Sequence, residues 1–250
     1  MAKYAMAVDL GRCQGCRACM EACKIENNTP QGVFWMYVFR TETGEYPHTK
    51  LDFMPRPCQQ CNNPPCAKVC PVGARFQRED GIVLTDYDRC IGCRYCEVAC
   101  PYGVNYYNWR TPEEAFADYG TDYSDPQVAA VTGGLIPPYK NPDLARLQGK
   151  EQRLTAGSAH NVGVMEKCTF CVQRVDKGLE PACVDVCPVH ALHFGDIEDD
   201  NSPISQYINQ RTGFKLLEEL GTEPSVFYLN GTPPGPDTRE IERPLTEVGS

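Results

Sequence analysis

Sixteen cysteines in 250 residues stand in four groups of four, and no other feature constrains the fold as much. The groups are Cys13, Cys16, Cys19 and Cys23; Cys58, Cys61, Cys66 and Cys70; Cys90, Cys93, Cys96 and Cys100; and Cys168, Cys171, Cys183 and Cys187. The first and third read C-x2-C-x2-C-x3-C, the second C-x2-C-x4-C-x3-C and the fourth C-x2-C-x11-C-x3-C. Pro71, Pro101 and Pro188 follow the last cysteine of three groups, and Lys24 takes that place in the first. Only 42% of the residues are hydrophobic, a modest supply of core for this length. Whatever the cysteines bind must therefore supply much of what holds the chain together.

A C-x2-C-x2-C-x3-C run closed by proline is the bacterial ferredoxin pattern for [4Fe–4S] ligation, and the second and fourth groups are stretched forms of it. Sixteen thiolates at four per cluster give four [4Fe–4S] clusters with no cysteine left over. Three closely spaced thiolates on one looping segment cap three corners of a cubane, and C-x3-C spaces the last pair by about one helical turn. In two-cluster ferredoxins the fourth cysteine serves the neighbouring cluster, which stitches clusters together at short separation. Structural zinc also uses C-x2-C pairs, but it needs neither the third cysteine of C-x2-C-x2-C nor the C-x3-C-P ending. In a disulfide framework the C-x2-C neighbours would crowd the bond geometry. Covalent c-type haem needs C-x2-C-H, yet Arg17, Met20, Asn62, Arg94, Glu97 and Val172 stand where that histidine would be. His48, His160, His190 and His193 occupy no ligand position in a quartet.

The sequence also repeats. Residues 9–23 align without gaps on 86–100, and 66–74 match 183–191. These repeats predict an α+β fold: a duplicated bacterial-type 2[4Fe–4S] ferredoxin with short strands and helices, long inserted loops and an extended C-terminal tail. One half comprises 1–57 with 163–200 and carries the first and fourth groups; the other comprises 58–110 and carries the second and third. Residues 111–162 read as an insertion, and 201–250 as a C-terminal helix, strand and tail. Short strands are expected over 34–41, 74–76, 82–85, 104–109, 191–197 and 225–229, with Asp80-Gly81 as a hairpin turn. The C-x3-C helices should be single turns. A longer helix is expected over 205–220, with Ile208, Leu216, Leu217 and Leu220 as its apolar positions and Gly221 as its stop.

The formal net charge of −9 excludes a general nucleic-acid binder, which needs a basic stripe to neutralise phosphates. No stretch approaches 18 consecutive apolar residues, so no transmembrane helix is expected. The first six residues leave no room for a signal peptide before the cysteines begin, so no secretion signal is expected in this chain. The sequence holds no GxGxxG, P-loop, GxSxG or HExxH, and no catalytic residue is assigned. Arg12, Arg17, Lys24, Arg89, Arg94, Lys167, Arg174 and Lys177 lie within or beside the groups, where cations raise cluster potentials or simply form surface ion pairs.

Residues 90–96 (Cys-Ile-Gly-Cys-Arg-Tyr-Cys), 99–103 (Ala-Cys-Pro-Tyr-Gly) and 168–171 (Cys-Thr-Phe-Cys), with the distant Cys183, resemble one family. It is that of the four-cluster iron–sulfur subunits of dimethyl-sulfoxide-reductase-type molybdoenzymes. Residues 23–28 and Trp35 are most similar to subunits of polysulfide, tetrathionate, sulfite and arsenate oxidoreductases. Some relatives replace one cysteine of the third group and carry a three-iron cluster; all four are present here, so the resemblance implies four cubanes. It also implies crossed ligation: Cys13, Cys16 and Cys19 with Cys187; Cys168, Cys171 and Cys183 with Cys23; Cys58, Cys61 and Cys66 with Cys100; Cys90, Cys93 and Cys96 with Cys70. It further implies an electron-transfer subunit between a molybdopterin-containing catalytic subunit and an integral membrane quinone-binding anchor. Such a complex lies at the bacterial or archaeal cytoplasmic membrane, and the periplasmic side, reached with a co-exported partner, is favoured. The competing readings are a free soluble polyferredoxin and a zinc-stabilised scaffold; the long insertion and proline-rich tail favour a fixed partner over the free carrier.

Overall fold

A computed structural model of the chain describes residues 2–30, 32–110, 125–131, 147–148, 153–154, 162–235 and 239–240. Its central strand, β1 (Tyr4–Asp9), was not foreseen from sequence. The alternation of β1 puts Met6 and Val8 into the main core and the small Ala5 and Ala7 against Ile204 on the other face. Partners from the far end of the chain close around it. Numbered in chain order, β10 (Leu192–Asp196) runs antiparallel to β1 with Val8 opposite Leu192, and β12 (Val226–Leu229) runs parallel with Met6 opposite Val226. The two-residue β11 (Gly213–Phe214) completes the order β10-β1-β12-β11.

A hairpin of β2 (Tyr37–Thr43) and β3 (Lys50–Arg56) pairs from Tyr37↔Arg56 to Thr43↔Lys50. The strand expected over 34–41 thus begins three residues later. Strands β4 (Arg75–Gln77) and β5 (Val83–Thr85) turn around Asp80-Gly81, where Gly81 takes φ 89°. The strand expected over 104–109 contracts to β6 (Tyr106–Tyr107), which pairs with β9 (Met165–Glu166). That pairing closes the base of the predicted insertion. Within the insertion α4 (Pro126–Val131), β7 (Leu147–Gln148), β8 (Arg153–Leu154) and residues 125 and 162 are described; its other positions, and the tail apart from 232–235 and β13 (Arg239–Glu240), lie outside the described residues.

Four helices are single turns, namely α2 (Pro65–Lys68), α3 (Tyr95–Val98), α5 (Val172–Val175) and α6 (Ala182–Asp185). For the first cysteine group the single-turn expectation is a correction: α1 (Ala18–Asn27) is ten residues long. Proline after the last cysteine biases the preceding residue away from helix in the other groups, and Lys24 imposes no such stop. The helix expected over 205–220 is a correction: only α7 (Pro203–Asn209) forms, capped by the Ser202 hydroxyl accepting from Ser205 N–H at 3.3 Å. Beyond it Arg211 and Thr212 fill the turn where an amphipathic helix needs apolar residues. Gly213 then enters β11, where an added Cβ would lie 2.4 Å from Leu229 Cδ2. A 3₁₀ turn over Glu218–Leu220 ends at Gly221.

Helix α1 packs on α6, and α2 packs on α3. These contacts join the first cysteine group to the fourth and the second to the third. The main apolar cluster runs through the cysteines themselves, with Cys19, Cys23, Cys58, Cys168 and Cys183 buried among Met36, Phe170 and Val172.

Candidate metal centres

The two undistorted cysteine runs adopt the same loop. Gly15 and Arg17 take φ 66° and 64°; Gly92 and Arg94 take φ 66° and 61°. The left-handed steps turn the chain back on itself within each run, and the arginine then leads into α1 or α3. Close contacts add to the preference for glycine that φ sets. A Cβ on Gly15 would meet the Phe53 ring at 2.3 Å, and one on Gly92 would meet Gly163 O at 2.0 Å.

All sixteen thiols are free. Their mutual fields show which stand together. Burial pushes Cys19 up to about 12, with Cys13, Cys187 and Cys16 adding to the rise, and Cys13 is raised by burial and then by Cys187 and Cys16. Cys23 and Cys183 are raised well above the ordinary thiol value, by burial first and then by Cys171 and Cys168, and Cys183 also feels Cys23. Cys61, pushed up to about 12 by burial, feels Cys58, Cys66 and Cys100. Cys96, raised by burial, feels Cys90 and Cys70, and these line one hollow together with Cys93. The structure therefore brings together four sets: 13/16/19/187, 23/168/171/183, 58/61/66/100 and 70/90/93/96.

The sets form a row. Cys183 of the second set also feels Cys19 of the first. Cys168 of the second feels Cys58 of the third, after burial. Arg75 is acted on by Cys66 and Cys58 of the third set and by Cys96 of the fourth. At the two extremes Cys16 and Cys93 are exposed, whereas the second set is buried throughout.

Backbone and side-chain N–H groups point at the sulfurs. Cys187 Sγ accepts from Ala191 N at 3.3 Å, Cys168 Sγ from Phe170 N at 3.4 Å, and Cys90 Sγ from Met165 N at 3.4 Å. Asn27 Nδ2 donates to Cys23 Sγ at 3.5 Å and reaches Cys171 Sγ at 3.7 Å. Among the described residues, no three His, Cys, Asp or Glu side chains converge on the point a single ion would occupy. Soft sulfur ligands in groups of four, with N–H donors directed at them, fit the chemistry of an iron–sulfur cluster.

Residues 9–74, and residues 49–118 with 155–197, each match a family model described as a 4Fe–4S dicluster domain, and together the matches take in every cysteine. The arsenate respiratory reductase iron–sulfur subunit ArrB of Shewanella sp. is 39% identical over 232 residues, spanning 91% of this chain and 96% of the relative. A selenate reductase subunit of Mesobacillus selenatarsenatis is 39% identical, over 91% of this chain and 72% of the relative. A menaquinone reductase iron–sulfur cluster-binding subunit of Nitratidesulfovibrio vulgaris is 34% identical, over 91% and 89%. The chain belongs to the iron–sulfur subunit family of dimethyl-sulfoxide-reductase-type oxidoreductases. Like the members of that family, it is an electron-transfer subunit of a reductase complex, and among its described residues no helix is long and apolar enough to cross a membrane.

Most of the cations noted in the sequence of this iron–sulfur subunit tie down local structure. Arg94 pairs with Glu97 at 2.8 Å, Arg89 with Asp86 at 3.5 Å, and Arg174 with Asp185 at 2.9 Å and Glu26 at 3.5 Å. Lys24 Nζ donates to Pro30 O at 2.9 Å and Val33 O at 3.1 Å, closing the turn after α1. Arg12 Nη1 donates to His190 O at 3.3 Å. Lys167 differs, because it is fully buried between the second and third sets, where it lowers Cys66 and Cys168 against the effect of burial. Its Nζ donates to Cys168 O at 3.0 Å and to Val83 O. Sequence reasoning missed Arg75, which lies outside the cysteine runs, five residues after Cys70 at the start of β4. A strand that begins with a charged residue flanked by Ala74 and Phe76 was the available signal.

Proposed function

We propose that this subunit relays electrons through four [4Fe–4S] clusters, between a molybdopterin-containing catalytic subunit and a membrane subunit that exchanges electrons with quinone. The observation that carries the reading is the row of four cysteine sets, with one exposed cysteine at each extreme. The proposed ligands are Cys13, Cys16, Cys19 and Cys187 for the first cluster, and Cys168, Cys171, Cys183 and Cys23 for the second. Cys58, Cys61, Cys66 and Cys100 hold the third; Cys90, Cys93, Cys96 and Cys70 hold the fourth. When bound, each cluster supplies a one-electron acceptor whose potential follows hydrogen bonding, burial and charge.

The chain's own residues do the rest. The left-handed loops aim the thiolates, Asn27 and the amides of Ala191, Phe170 and Met165 supply N–H bonds to sulfur, and the apolar core excludes water from the middle of the row. The two partners are supported by the relatives: arsenate and selenate reductase subunits at one side of the reaction, a menaquinone reductase subunit at the other. Such a complex sits at the cytoplasmic membrane with this chain peripheral to it; protease access in spheroplasts decides the side, for which we favour the periplasmic.

The test is spectroscopic and uses the purified complex. Iron and acid-labile sulfide should each come to about sixteen atoms per chain. Cys16→Ser and Cys187→Ser, 171 positions apart in sequence, should perturb the same paramagnetic signal, and Cys23→Ser a different one. If Cys16→Ser and Cys23→Ser disturb one shared signal, the crossed assignment is wrong. If the chain elutes alone from native extract, the free carrier replaces the fixed relay.

A further inference from the structure

Arg75 is only 3% exposed and lies between the third and fourth cysteine sets. Its Nη2 donates to Cys96 Sγ at 3.4 Å. Its Nε and Nη1 are buried and have no hydrogen-bond partner among the described residues. Lys167, the other buried cation of the row, has carbonyl oxygens around its ammonium; Arg75 has thiols, with burial opposing its charge and Cys66, Cys96 and Cys58 supporting it. A buried guanidinium with two unpartnered nitrogens is strongly unfavourable unless an anion stands beside it. Thiolate-ligated clusters on both sides are such anions.

We propose that Arg75 is the fixed counter-charge of the Cys93 end of the row, raising the reduction potential of the cluster held by Cys70, Cys90, Cys93 and Cys96 and making it a resting place for an electron. The inference rests on the reading of the cysteine sets as [4Fe–4S] clusters. Were clusters bound, one electron leaving the site held by Cys58, Cys61, Cys66 and Cys100 would be taken up at the neighbouring site beside Arg75. No proton or bond is exchanged, and the acceptor becomes one charge more negative. A cation in water-free surroundings favours that more negative state, and a guanidinium fork directed at a sulfur favours it more than a distant charge does. Arg89 lies beside the same set but is solvent-exposed and paired with Asp86, so screening removes most of its field.

The test is a reductive titration of the holoprotein, followed by low-temperature paramagnetic resonance, on Arg75→Gln, Arg75→Lys and Arg89→Gln. In Arg75→Gln one midpoint should fall by about tenfold or more in the reduced-to-oxidised ratio, about 59 mV for one electron. The third cluster should shift less, and the two clusters nearest Cys16 should hold. Arg75→Lys, which keeps the charge and loses the fork, should recover part of the shift, and Arg89→Gln should match the unsubstituted protein. Should Arg75→Gln fail to assemble, pulsed resonance on the unsubstituted protein carrying arginine labelled with ¹⁵N in the guanidinium alone, which leaves out the Arg75 backbone N–H at 3.5 Å from Cys70 Sγ, should show a guanidinium nitrogen coupled to a reduced cluster. Full iron content with four unshifted midpoints in Arg75→Gln, or no coupled guanidinium nitrogen, overturns the role of Arg75 and leaves the clusters standing. Unsubstituted protein without iron, sulfide or resonance signals overturns the cluster reading itself.

Discussion

The two ends of the cysteine row are built from one repeated sequence and present different surfaces. Residues 9–23 and 86–100 share the loop with two left-handed steps, and each leaves its middle cysteine exposed at Cys16 and Cys93. Around that shared loop the side chains diverge. Gln14, Ala18 and Glu21 at the first end correspond to Ile91, Tyr95 and Val98 at the second. Ile91 is 63% exposed, Tyr95 54% and Val98 82%, with Trp109 beside them at 68%. The first end instead has a shallow hollow lined by Gly15, Arg17 and Arg40 with Val38 and Phe53. Positions that aim thiolates cannot vary without losing the loop, whereas outward positions are free to suit what each end touches. Apolar side chains this exposed suit contact with another protein, while the first end, where Gln14, Ala18 and Glu21 stand in their places and Arg40 joins Arg17, suits a polar contact.

The largest effect tests what the ends share. With so much of the core made of cysteine, cluster binding is folding free energy. Iron-free protein should therefore lose its cooperative thermal transition in calorimetry; a sharp transition without iron would mean that the apolar core alone holds both ends. The buried thiols explain the direction. Burial and mutual repulsion push Cys19, Cys61 and Cys168 up to about 12, so at neutral pH an empty site carries packed neutral thiols and no bonds between its segments.

A smaller effect separates the ends. Alanine at Gly92 or at Gly15 meets the same left-handed φ, a cost of about 1–2 kcal/mol. The obstacles differ, since Gly92 faces the carbonyl of Gly163 and Gly15 faces the ring of Phe53, a half-buried side chain that can swing. Gly92→Ala should lose about four of the sixteen iron atoms and the signal of the Cys93 end, and Gly15→Ala should keep nearly all of them. Equal losses by iron assay would mean that the loop, and not its neighbour, decides both ends.

What was legible in the sequence was local. Ligand spacing, single-turn helices before Cys-Pro and the turn at Asp80-Gly81 are set within a few residues, and they appear in the structure. The single-turn expectation failed at α1, which runs ten residues because Lys24 stands where proline stands in the other groups. The other failures came where distant packing decides. Leu216, Leu217 and Leu220 suggested a helix face, yet Phe214 is claimed by Tyr228 across β11 and β12, stacked with ring centroids 5.4 Å apart. Strand β1 is stable only because β10 arrives from 184–192 residues away and β12 from 220. Arg75 was invisible for the same reason, because its meaning lies in two cysteine sets that only the folded chain places on either side of it.

The subtlest test exchanges the character of the ends. Val98→Glu gives the apolar end the residue that Glu21 supplies at the equivalent place in the other. At 82% exposure the valine contributes little to the fold, so iron content and melting temperature should stay within error. If the apolar face is covered in the complex, the substitution buries a carboxylate without a partner, and the subunit at that end should bind at least about tenfold more weakly, by about 1.4 kcal/mol. The loss should persist at high salt, because it comes from desolvation. Arg17→Gln at the other end should weaken a contact whose strength falls as salt rises, by a smaller factor. Pull-down of the partner subunits across a salt series checks both. Unchanged binding in Val98→Glu would leave the divergence between the two ends without a role in assembly.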